Sequence, residues 1–127
     1  MFDNDYSDLI GIRFTPYGRT KEEGFDCYGL VKFYLKRHGI ELYDITYDFE
    51  KRINARKEIF ATNKSVVLDK PEIDCVIEMR IKNEPTHVGV YVGEGKILHA
   101  VEGLGVIIDS IERKKEQIVG YYRVCNN

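Results

Sequence analysis

The chain contains no apolar run near the roughly 18 residues that a membrane-spanning helix requires, so a helical membrane protein is set aside. It has no excess of charge of one sign either: 19 Lys and Arg stand against 21 Asp and Glu, for a net charge of −2. No basic stripe for nucleic acid is visible in that balance. Cysteine is scarce and odd in number, and Cys27, Cys75 and Cys125 show no close pairing. A disulfide framework is therefore not expected. Nor is a zinc site, which favours Cys-x-x-Cys or His-x-x-x-His pairs. Free thiols suit a reducing compartment. The acidic, polar stretch Met1–Asp8 lacks the basic and apolar regions of a secretory leader, so the protein is expected to be cytoplasmic at synthesis. Repeats, low-complexity tracts and linkers are absent as well.

What is present is ordinary globular composition over 127 residues, 43% apolar and 31% charged. That length builds one domain with a proper core, so residues 1–127 read as a single unit. Apolar positions 27, 30, 31, 34, 35 and 38 follow a helical period. Asp26 stands where an N-cap belongs, and Gly39 where a left-handed terminator belongs. A second helix is expected over about residues 46–61, anchored by Ile45, Phe49, Ile53 and Phe60. Beyond it the period changes to that of strands: 75–81, 87–92, 96–101, 106–108 and 119–124. Helices first and strands after predict an α+β fold, N-terminal helices packed on a central antiparallel β-sheet.

The chemistry concentrates in Gly24-Phe25-Asp26-Cys27-Tyr28-Gly29-Leu30-Val31, which sets a thiol in the first turn of a helix. Taken alone, such a cysteine is more often a core residue than a nucleophile. His87 and His99 change the balance. A three-residue loop at Gly93-Glu94-Gly95 would pair Val92 with Lys96 and Tyr91 with Ile97. Alternation then puts His87, Gly89, Tyr91, Ile97 and His99 on one face, with the histidines as diagonal neighbours and Gly89 leaving space beside them. A two-residue loop would separate the histidines onto opposite faces. If the Cys27 helix packs on the histidine-bearing face, one imidazole can take the thiol proton and the other can hold the first in its productive tautomer. A free thiol titrates near 8.5, and a helix N-terminus beside an imidazolium lowers that value. Backbone N–H groups at the helix start, Cys27 included, are candidate oxyanion donors. His38, in the last helical turn, and the strand thiols Cys75 and Cys125 read as structural.

The Cys27 motif and Thr86-His87-Val88-Gly89-Val90-Tyr91-Val92-Gly93-Glu94-Gly95-Lys96-Ile97-Leu98-His99-Ala100 together resemble the NlpC-type cell-wall peptidases, a papain-like cysteine peptidase family. Ile73-Asp74-Cys75-Val76 resembles the strand that precedes the second motif, and the likeness spans roughly residues 9–124. The resemblance implies a papain-like fold with Cys27 as nucleophile, His87 as base and His99 as orienting residue, and needs no cofactor or metal. The implied partner is a peptidoglycan stem peptide, cut between D-glutamate and a diamino acid. Asp26, Tyr28, Gly89 and either Phe14 or Tyr17 fall in the implied substrate and oxyanion region. The usual tyrosine ahead of the nucleophile is replaced by Phe14 or shifted to Tyr17. Compactness and the wording Asp-Cys-Tyr-Gly-Leu are closest to members found in bacteriophage tails and prophages, which implies tail proteins as partners. The alternative is a tail assembly module that keeps the triad with little hydrolytic activity.

Overall fold

A computed structural model describes residues 6–44, 64–81 and 84–125. They form a 3-10 turn at Ser7–Leu9, then β1 (Arg19–Thr20), β2 (Gly24–Phe25) and α1 (Cys27–Arg37). There follow β3 (Lys64–Leu68), β4 (Val76–Ile81), β5 (Glu84–Gly93), β6 (Lys96–Val101), β7 (Gly105–Ser110) and β8 (Ile118–Cys125). β1 and β2 make a small antiparallel hairpin directly ahead of α1. The remaining strands form one six-stranded sheet in the order β3-β8-β4-β5-β6-β7, antiparallel throughout. α1 packs on β5 and β6.

The α+β class and the antiparallel sheet agree with the sequence pattern, but the helix content differs. α1 is the single α-helix among the described residues, and the helix expected at 46–61 lies outside them. β3 and the β1–β2 hairpin were not expected. β3 borders the sheet with Val66 and Val67 exposed in succession, so it buries no alternating face from which a period could be read.

Local chemistry explains α1. Asp26 caps its start, accepting a hydrogen bond from the Gly29 N–H at 2.7 Å. Its end is a Schellman turn: Gly39 sits at φ +80°, its N–H reaches the Lys36 carbonyl, and the Ile40 N–H reaches the Leu35 carbonyl. The buried stripe comprises Tyr28, Gly29, Leu30, Val31, Tyr34 and Leu35. Burying each large apolar side chain of this stripe contributes about 1.5–3 kcal/mol, more than the helix propensity that valine and tyrosine sacrifice.

Alternation divides the sheet into two faces. Val76, Val88, Val90, Leu98, Ala100 and Val106 join the α1 side chains in the larger core. Ile77, Met79 and Ile97 face the other way, covered by Leu68, Ile111, Ile118 and Tyr121. The β5–β6 turn differs from the expected three-residue loop. Glu94 and Gly95 both adopt left-handed conformations (φ 56° and 72°), so that Gly93 pairs with Lys96 in the manner of a type I′ hairpin. A bulge at Val92 then absorbs one residue and restores Tyr91 opposite Ile97. The tight turn alone would have thrown the two histidines onto opposite faces; the bulge cancels that inversion.

Candidate active site

Cys27 is the first residue of α1 and is half-buried at the edge of the larger core. Asp26, before it, is fully buried. Besides capping Gly29, its carboxylate accepts hydrogen bonds from the Tyr17 N–H and from Arg19 Nη1, each at 2.9 Å. The Arg19 guanidinium also meets Asp44 at 2.9 Å and stands over the Tyr28 ring. An isolated carboxylate beside a thiol would oppose thiolate formation. Paired with Arg19, Asp26 fixes the helix start with its charge answered by the guanidinium.

His87 on β5 and His99 on β6 are both buried, and His87 Nε2 lies 2.9 Å from His99 Nδ1. The rings meet edge to face with centroids 5.1 Å apart. On the far side, His99 Nε2 lies 3.2 Å from Asp109 Oδ2, and Lys114 Nζ lies 3.6 Å from that same oxygen. Burial, first, holds the His99 imidazole below its ordinary value; Lys114 adds to this and Asp109 opposes it. The sequence pattern does not single out Asp109, because the β-branched run Val106–Ile108 ends one residue before it. The strand runs to Ser110, and the pairing of Ile97 with Asp109 puts that carboxylate diagonal to His99.

The two histidines are therefore brought together as expected, but α1 does not lie over them. Its flank packs on Val88, Val90, Leu98 and Ala100, the alternate positions of β5 and β6. Any approach of the thiol to the imidazoles is thus made from the first turn of the helix, not from its side. Gly89 also differs from expectation. The space beside it is filled, and a Cβ there would stand 3.0 Å from His99 Cβ, Ile97 Cγ2 and the Leu98 carbonyl oxygen. Gly89→Ala is expected to lower stability by about 1–3 kcal/mol through this overpacking and to displace His99. Denaturant unfolding checks the first effect, and the imidazole resonances of His99 the second.

Of the remaining expected site residues, Asp26 and Tyr28 are enclosed. Tyr28 is a core residue whose hydroxyl donates to the Tyr43 carbonyl, so both position the site from behind. Phe14 bridges Phe25 in parallel and packs on the larger core. Tyr17 is 49% exposed with a left-handed backbone (φ 63°), and its N–H is held by Asp26 one residue from the thiol. Of these two, Tyr17 has its ring exposed to the surface. His38 caps the end of α1, its Nδ1 2.6 Å from Asp74 and its ring against Tyr34. Burial pushes the Cys75 thiol up to about 11, which suits a packing role.

A helix opened by a cysteine, standing on an antiparallel sheet whose adjacent strands carry a hydrogen-bonded histidine pair, defines the class of α+β domain. The chain belongs to the NlpC/P60 family, whose model matches residues 13–120. It is 30% identical over 109 residues to the murein DD-endopeptidase MepS/murein LD-carboxypeptidase of Escherichia coli (strain K12), a match covering 85% of this chain and 52% of that protein. It is 26% identical over 116 residues to the gamma-DL-glutamyl hydrolase of Bacillus subtilis (strain 168), covering 87% of this chain and 25% of that one. The chain thus spans about half the length of the first relative and a quarter of the second. In fold it is similar to a lipoprotein-like NLP/P60 family protein of Staphylococcus aureus Mu50. That likeness has a TM-score of 0.68 at 17% identity and covers 99% of this chain and 43% of that one.

Proposed function

We propose that this chain is a cysteine endopeptidase or amidase that hydrolyses peptidoglycan stem peptides, with Cys27 as nucleophile, His87 as base and His99 as orienting residue. The observation that carries the reading is the 2.9 Å contact between His87 Nε2 and His99 Nδ1, buried on strands against which the Cys27 helix packs. With Nε2 engaged by His99, Nδ1 of His87 is the nitrogen left for the thiol. It takes the proton from Cys27 as Sγ attacks the amide carbonyl carbon, and returns it to the departing amine as the C–N bond breaks. The thioester is then opened by water, His87 removing one proton; the C–S bond breaks, the carboxylic acid leaves and the thiol is restored. Backbone N–H groups at the start of α1 supply the oxyanion contacts.

The substrate class follows from relatives named for murein and glutamyl hydrolysis. The bond we propose is the one between D-glutamate and the diamino acid. Residues 1–127 act as one papain-like domain without a cofactor, and Tyr17 borders the bound peptide. The wording of the Cys27 motif supports a setting in a bacteriophage tail, with tail proteins as partners and cytoplasmic synthesis before assembly; detection of the chain in purified virions checks that setting.

Two measurements test the enzyme. Incubation with a defined stem peptide should release a fragment that begins with the diamino acid, and intact peptide after prolonged incubation at high enzyme concentration contradicts the reading. Alkylation by iodoacetamide near neutral pH should modify Cys27 much faster than Cys75, whose thiol burial holds at about 11. Equal, slow labelling of all three cysteines points instead to a scaffold that keeps the motif without its chemistry.

A further inference from the structure

Two imidazoles in hydrogen-bond contact leave a question that the pair cannot answer by itself. One nitrogen of the His87–His99 contact must donate and the other accept, and either order satisfies the distance. Only one order leaves a lone pair on His87 Nδ1 for the thiol. If His99 Nδ1 carried the hydrogen, His87 Nε2 would have to accept it, and a neutral His87 would present an N–H to the sulfur and could not serve as base.

We propose that Asp109 is the positioning residue that settles this order, acting through His99. A carboxylate can only accept, and Asp109 Oδ2 stands 3.2 Å from His99 Nε2, so that nitrogen bears the hydrogen. Because His99 is buried and stays neutral, its Nδ1 is then the acceptor. His87 Nε2 donates across the 2.9 Å contact, and His87 Nδ1 is left unprotonated. The same chain of contacts places a negative charge one ring behind the imidazolium that forms when the thiol gives up its proton. The charged and titratable groups facing His99 are His87 from β5, Asp109 from β7 and Lys114 from the turn after β7. Lys114, 3.6 Å from the same oxygen, holds the carboxylate in place and favours neutral His99. Asp109 is 14% exposed in its side chain, so its bond to His99 is only weakly open to competition from water.

The mechanistic consequence rests on the proposed cysteine-peptidase reading; the tautomer assignment does not, and the experiment separates them. In the unaltered chain, imidazole nitrogen shifts from long-range 1H–15N spectra should show His99 with hydrogen on Nε2 and bare Nδ1, whether or not any peptide is cleaved. The opposite tautomer overturns the proposal. Asp109→Ala should lose that preference. It should also lower stem-peptide kcat by about 10–100-fold, the usual reach of a group behind a catalytic one, with KM within about twofold. The pH midpoint of Cys27 alkylation should rise by about half a unit or more, because the imidazolium loses its distant counter-charge. Asp109→Asn, which keeps an acceptor without the charge, should recover the tautomer and only part of the rate. A folded Asp109→Ala chain with unchanged tautomer, kcat and alkylation midpoint refutes the role. An unaltered chain that cleaves nothing but shows the assigned tautomer refutes the peptidase reading and leaves the positioning assignment standing.

Discussion

Replacing Cys27 by alanine is expected to lower stem-peptide hydrolysis by at least about a thousandfold, because a triad acts as a unit and loses nearly all its acceleration when the nucleophile goes. The same substitution should change stability by less than about 1.5 kcal/mol. The residue sits half-buried at the first position of α1, the cap that starts the helix belongs to Asp26, and the core meets the residue only at its edge, so little of the fold rests on the sulfur. The informative measurement is the pair of results together: kcat on a defined stem peptide and the urea midpoint of the same preparation. Hydrolysis within tenfold of the unaltered chain would remove Cys27 from the chemistry. Loss of activity together with loss of the folded baseline would mean that the thiol is a packing group after all.

The second large effect is expected at Asp26, and in the opposite sense: a stability loss out of proportion to the size of the group. Its fully buried carboxylate receives the Gly29 N–H, the Tyr17 N–H and the Arg19 guanidinium. Asp26→Ala removes a helix cap, leaves two backbone donors without their acceptor and takes the buried one of two carboxylates from a guanidinium whose side chain is only 17% exposed, Asp44 being the other. Breaking a buried ion pair from one side destabilises by about 3–5 kcal/mol when the other charge is left unanswered; with Asp44 still on Arg19 the loss is expected at the lower end, about 3 kcal/mol, against about 1 kcal/mol for a lost exposed cap. Urea unfolding distinguishes the two: a loss near 1 kcal/mol would show that Asp26 is an ordinary cap. Asp26→Asn should fall between, keeping an acceptor for Gly29 but not the charge that Arg19 answers. Activity should fall with Asp26→Ala even where the chain remains folded, since Tyr17 and the helix start are both tied to that carboxylate.

Much of the site is legible in the order of residues because it is built from local rules. Capping chemistry places Cys27 in the first turn of a helix, with Asp26 before it and Gly39 beyond its end. Alternation along two strands places His87 and His99 on a common face once the register is known. Asp109 is illegible for a different reason. Nothing about an aspartate near the end of a β-branched run distinguishes a loop residue from a strand residue, and only the pairing of β7 with β6 brings it beside His99. Gly89 is similar: its lack of a side chain reads equally well as open space or as close contact, and only the packed neighbours decide for contact.

The sequence by itself determined the class of fold, the helix that begins at Cys27, the strands that carry the histidines and the family to which the chain belongs. Each follows from short-range periodicity, capping or a contiguous motif. Tertiary structure alone decided the rest. The bulge at Val92 sets the histidine register, because a tight turn and a common face are incompatible without one extra residue. The face on which α1 packs is the one that carries Val76, Val88, Val90, Leu98, Ala100 and Val106, which only the paired strands define. The carboxylate behind His99 was brought there by the register of an edge strand. All three arise between residues that pair or pack across the fold, where the free energy of side-chain burial, and not local propensity, selects the arrangement.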